Sequence, residues 1–300
     1  MIAFITSLRH PDNAADYDHI EKLLRQSLRS IEAQSDDDHV TIIVGNQAPS
    51  FVLPPGAHFV EVNFPPPLPV NGLHADRSGF VMDKGTKIAI GLIAAREYSP
   101  HSVMIFDADD FVHRELAAFV NSRTASGGWY IERGWIYSAR RNGYRAQERF
   151  NRTCGTSFVL PYAAYEVPED LDVDATQQDL MSSFGEILPN ILGAHRNALE
   201  WHAEQGRTVM PLPFRAGVYH VDTGENHSLK SLPGVIRPWN DRFGRAFAIT
   251  PTRSSLSSIL SCYSPRAFLH EVYRAVRRKL LPVVRSLRRN IVPETTDSEL

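Results

Sequence analysis

Three hundred residues, 43% of them hydrophobic and 22% charged, fit one large domain or two closely packed lobes and exclude a chain too polar to bury a core. The opening apolar run is too short for a signal-peptide core, no run reaches the length of a membrane span, and Cys154 and Cys262 lie too far apart for a metal-type spacing, so reduced thiols in a cytoplasmic protein are expected. The formal charge of −2 conceals an asymmetry: residues 264–290 hold eight Lys or Arg against one acid, a local +7 that leaves −9 on the rest, which disfavours nonspecific nucleic-acid binding and suits the tail to an anionic surface.

Residues 2–8 form an apolar strand. Residues 18–33 carry Ile20, Leu23, Leu24, Ser27, Leu28 and Ile31 at helical spacing, and 39–46 form a second, β-branched strand. Strand, helix and strand at this spacing predict a right-handed βαβ unit and a parallel sheet. Thr6, Arg9 and Asn46 then fall at strand ends on one side, where they either meet a nucleotide base or serve as ordinary polar turn residues. A third strand over 59–64 is closed by a proline run that cannot enter a sheet interior. After a polar, loop-like stretch over 76–82, Lys84-Gly85-Thr86-Lys87 opens a helix that turns Ile88, Ile90, Leu92, Ile93 and Ala95 toward the sheet. Lysines at a helix start oppose the dipole, so Arg77, Lys84 and Lys87 suggest an anion nearby, the plain alternative being a solvated helix end.

The next run, Val103-Met104-Ile105-Phe106, ends abruptly in Asp107-Ala108-Asp109-Asp110. It predicts a buried strand whose carboxyl end carries acids, the side on which open α/β sheets place their ligand crevice. An N-cap for the helix predicted over 114–120 explains one Asp and not three. Crowded carboxylates repel, and a hard divalent cation relieves them.

Beyond the acids, a helix to about 123 leads into an aromatic, hairpin-like stretch over 129–137, whose rings suit a sugar face or the core. Residues 150–161 read as a strand, with Gly155 marking a close backbone approach. A helix over 175–204, interrupted near Pro189, precedes a strand over 209–221 that runs into Asp222-Thr223-Gly224-Glu225-Asn226-His227. From 268 onward, apolar residues at helical spacing alternate with arginines in a basic amphipathic helix, broken near Pro282. Its apolar side suits a membrane surface, or equally the protein's own body or a second subunit in a homodimer.

A first half of βαβ units, an Asp-x-Asp after the central strand and an irregular second half ending in a histidine motif together resemble glycosyltransferases of the GT-A fold, family 2 in particular, over roughly residues 2–228. The resemblance implies an α/β fold with a mixed, mostly parallel central sheet flanked by helices. It divides the chain into a nucleotide-sugar-binding half (1–110), an acceptor-binding half (111–228) and a C-terminal extension (229–300). It implies a metal-dependent enzyme of polysaccharide biosynthesis that moves a sugar from a nucleotide-diphosphate donor to a glycan or lipid-linked acceptor, in the cytoplasm or at the inner face of the membrane. Mn²⁺ or Mg²⁺ is the implied cofactor, with Asp107, Asp109 and His227 as ligands; His220 is the second histidine candidate and Asp110 a supporting or acceptor-side acid. Donor contacts are implied at Thr6, Arg9, Asn46, Arg77, Lys84, Asp107 and Ala108.

The catalytic base of that family lies near the start of the helix that follows the 150–161 type of strand. Asp179 matches that placement, with Glu186 and His195 further along. Two departures stand out: there is no Glu-Asp pair at that helix start, and Asn46 stands where many relatives carry an acid. The alternatives are a nucleotidyltransferase of related fold, or a non-catalytic sugar-binding protein. The former normally carries a glycine-rich basic loop after its first strand, and Thr6-Ser7-Leu8-Arg9-His10 has no glycine.

Overall fold

A computed structural model of the chain describes residues 1–68, 78–123, 125–225, 230–274 and 276. Strand β1 (Ile2–Ser7) is apolar on both faces because both are covered: Ala3 and Ile5 join one core, Ile2 and Phe4 the other, all fully buried. Helix α1 (Tyr17–Glu32) follows, capped by Asp16, whose side chain accepts from the His19 backbone N–H at 3.1 Å. It turns Ile20, Leu23, Leu24, Leu28 and Ile31 inward, as their spacing predicts. Strand β2 (His39–Gly45) pairs parallel with β1, and β3 (Ala57–Glu61) parallel with β2. The third strand therefore starts earlier than expected. Of its expected end at 62–64, the Val62 N–H still donates to the Gly45 carbonyl at 2.9 Å, while the Asn46 side chain takes the carbonyls of Val62 and Phe64 at 3.1 and 2.8 Å.

Helix α2 (Ser78–Ala95) is apolar nearly all round, as a helix covered on two sides must be. One side lies on β1, where a Cβ on Gly91 would meet Ile5 Cγ2 at 2.4 Å; the other meets a π-turn at Leu188–Leu192, where a Cβ on Gly85 would meet Leu188 Cδ2 at 2.7 Å. Because the helix already runs from Ser78, Lys84 and Lys87 sit in its second and third turns, and the expectation that they open it is corrected. Lys87 is a fully buried pin instead: its Nζ donates to the Leu8 carbonyl at 3.0 Å and lies 2.9 Å from Asp83 Oδ1. Burial pushes Lys87 down and Asp83 up, and each partner opposes the other's shift.

The remaining elements are β4 (Ser102–Ile105), β5 (Phe111–Val112), α3 (Leu116–Asn121), β6 (Trp129–Tyr130), β7 (Arg133–Ser138), β8 (Gly143–Glu148), β9 (Phe158–Pro161), α4 (Gln177–Phe184), α5 (Ala198–Glu204), β10 (Met210–Pro211), β11 (Gly217–Val221), β12 (Arg237–Pro238), α6 (Asp241–Phe247) and α7 (Ser255–Cys262). A seven-stranded sheet runs β10-β6-β9-β4-β1-β2-β3, and a five-stranded sheet runs β12-β8-β7-β11-β5. Strands β4, β1, β2 and β3 are parallel neighbours, while β9 runs antiparallel between β4 and β6. The architecture is the mixed, mostly parallel α/β sheet with flanking helices that the resemblance implies.

Two expected strands divide between the sheets. The aromatic stretch is not a hairpin: β6 pairs with β9 in the large sheet, whereas β7 pairs with β8 in the small one. Likewise 209–221 breaks into β10 and β11 around Pro211 and Pro213, which lack the N–H a continuous ladder needs. Over 150–161, a 3-10 turn at Phe150–Arg152 and a short β9 leave residues 154–156 off the strand and turned to the acids. Among the described residues no helix is long and apolar enough to cross a membrane, and Pro282 lies outside them.

Lys87→Met leaves the Asp83 carboxylate buried without its cation and should cost about 3 kcal/mol in urea unfolding. Lys87→Met with Asp83→Leu should recover most of that loss, and equal loss in both variants would mean that the pair is not what pins α2.

Candidate functional site

Phe106 donates its N–H to the Ile5 carbonyl at 2.9 Å, so the acids emerge at the carboxyl ends of β1 and β4, where the sheet opens. Asp110 goes deepest and is fully buried. Its Oδ2 accepts from Thr156 Oγ1 at 2.6 Å and from Cys154 Sγ at 2.9 Å, and its Oδ1 from the His220 N–H at 3.0 Å. One carboxyl group thereby ties the end of β4 to the approach of β9 and to β11. Burial, then repulsion from Asp109 and Asp107, pushes Asp110 well above the usual carboxylate range. Burial, then Asp110 and Asp107, likewise pushes the Cys154 thiol well up, which keeps it protonated.

Asp107 and Asp109 are half-buried. The Asp107 N–H donates to Thr156 Oγ1 at 2.9 Å, and its Oδ1 lies 2.5 Å from Lys84 Nζ. Gly155 makes room on the far side: a Cβ there would meet Asp107 Oδ2 at 2.7 Å. Burial pulls Lys84 toward its neutral form, but Asp107 outweighs that pull and holds the ammonium above its usual value. Asp109 is pushed up to about 7 by burial and by Asp107, against the pull of Lys84 and Arg9.

This donor chemistry fits a hard divalent cation. Asp107 and Asp109 offer oxygen donors whose shared negative charge a cation relieves. One oxygen atom of Asp107 and of Asp110 and the sulfur of Cys154 also lie within 4.8 Å of one another. That trio fits a hard ion less well, because the thiol is protonated and both Asp110 oxygens already hold hydrogen bonds. His227 and Arg77 lie outside the described residues. His220 is buried between Phe111 and Tyr137, with ring centroids 5.4 Å from each, and burial pushes it down to about 4, so it packs as a neutral core ring.

The other expected contacts divide by exposure. Arg9 holds Glu225 by an ion pair at 2.5 Å, and His19 Nε2 meets the Thr223 carbonyl at 2.7 Å, so residues 222–225 are clamped across the end of β1. Thr6 is fully buried, Ala108 packs against Leu8, Leu24, Leu28 and Ile43, and Asn46 donates its amide to the Val62 and Phe64 carbonyls just past β3. Of the expected cations, Lys84 pairs with Asp107 and Arg9 with Glu225.

Asp179 and Glu186 are spent locally. Asp179 closes a capping box with Thr176 at the start of α4, and Glu186 is exposed and accepts from Asn190 at 3.0 Å. The residue brought near Asp107 is His195. It lines a cavity of about 20 Å³, room for a single water, together with Lys84, Gly155, Tyr165 and His202. Burial and then Lys84 push His195 down to about 4, against the pull of Asp107. His202 is fully buried, and burial pushes it down to about 4 as well; neither ring nitrogen has a partner among the described residues. Nothing in Leu192-Gly193-Ala194-His195 sets this histidine above the acids before it. Its position follows from α2, because Gly193 lets the chain approach so closely that a Cβ would meet the Val81 carbonyl at 2.2 Å.

No protein-family model and no curated protein matches the chain. Among solved structures it is similar to residues 1–349 of S. aureus TarS in complex with UDP-GlcNAc, at 13% identity and TM-score 0.44 over 77% of this chain and 62% of that one. It is also similar to another S. aureus TarS chain, at 12% identity and TM-score 0.41 over 73% of this chain and 36% of that one. A third similarity is to the galactosyltransferase LgtC in complex with donor and acceptor sugar analogues, at 11% identity and TM-score 0.31 over 74% of this chain and 73% of that one. The chain spans less than two thirds of the length of either TarS chain.

Without divalent cations, stability should fall as pH rises from about 4 to about 7. Asp109 has ionised by pH 4 in the unfolded chain, whereas the folded chain keeps its proton until about 7. Asp109→Asn should flatten that slope by roughly 1–2 kcal/mol once solvent screening is allowed for. Thermal melts at the two ends of the window measure it, and an unchanged slope would assign the effect to another group.

Proposed function

We propose that this chain is a metal-dependent glycosyltransferase that moves a sugar from a nucleotide-diphosphate donor to a hydroxyl of a glycan or lipid-linked acceptor. One juxtaposition carries the proposal: Asp107 and Asp109 stand at the carboxyl end of a central parallel strand, with Lys84 Nζ 2.5 Å from Asp107. Acids and a cation together suit a ligand that brings phosphates and a metal ion to the same place. In this proposal 1–110 holds the donor, 111–228 the acceptor, and 229–300 is an extension.

Bound at Asp107 and Asp109, Mn²⁺ or Mg²⁺ would supply neutralising charge to the diphosphate. Transfer breaks the bond between the anomeric carbon and a phosphate oxygen, and the electron pair stays on that oxygen. Lys84 is charged and faces this change with a donor already in position. Gly155 and Thr156 hold Asp107 so that neither it nor Lys84 must reorganise as charge develops.

The acceptor hydroxyl must lose its proton, and His195 is the group we assign to take it, in place of Asp179 and Glu186. Its ring is neutral at pH 7, its basicity depressed by burial first and then by Lys84, with smaller contributions from Arg196 and Lys230 and against the pull of Asp107. An anionic donor seated on Lys84 offsets that depression, so the base strengthens as substrate arrives.

A panel of nucleotide sugars with Mn²⁺ tests the proposal through release of nucleoside diphosphate. Release of pyrophosphate would indicate nucleotidyl transfer, and no release from any sugar would defeat the reading. Asp109→Ala should abolish turnover, and Lys84→Ala should lower kcat by about 10²-fold. Gly155→Ala should weaken donor binding about tenfold by displacing Asp107, with the melting temperature little changed.

A further inference from the structure

The C-terminal helices are amphipathic in the reverse sense. On α7 the small residues Ser258 and Cys262 face the body and are buried, while Leu256, Ile259, Leu260 and Tyr263 face outward. The helical stretch 265–274 repeats the arrangement. Ala267 is buried, and Phe268, Leu269, Val272 and Tyr273 are exposed one turn after another, with Val276 continuing the stripe. Leu256, Leu260, Leu269 and Tyr273 are 68%, 64%, 69% and 61% exposed. A helix facing water on this side would carry polar groups there.

Specific bonds fix the orientation. Asn142 Nδ2 donates to Ser258 Oγ at 2.8 Å, and Arg141 Nη2 donates to the carbonyls of Ser261 and Cys262 at 2.8 and 3.3 Å. Glu271 is the single acid of 264–290, and it is drawn to the inner side by Arg274 and Arg145, at 3.2 and 3.9 Å. The outer stripe over 256–276 is thus apolar and free of acid among the described residues, and its second half opens a segment whose sequence carries +7 over 264–290.

We propose that this stripe docks on an anionic membrane surface. An exposed apolar helix face joined in sequence to a basic segment is the composition that inserts at the boundary of headgroups and acyl chains, where basic residues are drawn to anionic lipid. A two-fold contact between copies would bring two +7 segments together, at an electrostatic cost that an anionic bilayer turns into a gain. Among the described residues no part of the body covers the stripe. This docking is independent of the transfer reaction, and it would bring the crevice to any acceptor carried on lipid.

Co-sedimentation of the full chain with vesicles tests it, using phosphatidylcholine alone or with about one third phosphatidylglycerol. Binding should be about tenfold stronger to the anionic vesicles and should weaken with salt. Leu260→Asp with Leu269→Asp changes two exposed positions, so the melting temperature and nucleoside diphosphate release should hold while vesicle binding falls at least about tenfold. Equal binding to both vesicle types, or unchanged binding by the variant, would overturn the proposal. So would a dimer in sedimentation velocity that the same substitutions dissociate while vesicles bind nothing.

Discussion

Three carboxyl groups within four residues cannot stay together in a half-buried crevice unless the rest of the chain supplies something to hold them. Here the relief is divided. Asp110 is drawn inward, where a threonine, a cysteine and a backbone N–H engage it. Asp107 is held by Lys84, while Asp109 is left with its ionisation pushed up to about 7. Most of the tertiary structure around the site can be understood as what this division requires: a lysine from α2, a glycine-threonine corner before β9, and the backbone of β11.

Those groups arrive from distant parts of the chain, and glycine is what brings them close enough. Gly91 lets α2 settle on β1, Gly85 and Gly193 let the 188–193 turn close on α2, and Gly155 admits the Asp107 carboxylate. The consequence is a chain of contacts from sheet to helix to turn that delivers Lys84 and His195 to the same small cavity. A side chain at any of these glycines would move a whole element and not merely its own neighbours.

Charge is organised on a larger scale as well. The body is acidic while the tail is basic, and the outward stripe of the last described helices joins apolar surface to that basic segment. The acids at the carboxyl end of the central strands and the apolar stripe of the C-terminal helices thus occupy separate regions of the chain, one in an acidic body and the other joined to a basic segment.

Much of the first half was legible without coordinates. Periodicity alone located β1, α1, β2 and β4, and the abrupt ending of an apolar run in Asp107-Ala108-Asp109-Asp110 marked the site, because a strand buried on both faces leaves its acids nowhere to go but the crevice. What the sequence could not decide is partnership. Alternating aromatics are the same whether β6 and β7 share a sheet or part between two, and the capping box of Thr176 with Asp179 is seen only in the folded chain. Lys87 and Lys84 lie three positions apart on one helix, yet one is a buried pin and the other faces the acids. His195 acquires its place only when α2 and the 188–193 turn pack together. Local sequence sets the period and polarity of each element, whereas burial and charge pairing depend on what lies across the fold, and only the packed chain determines that.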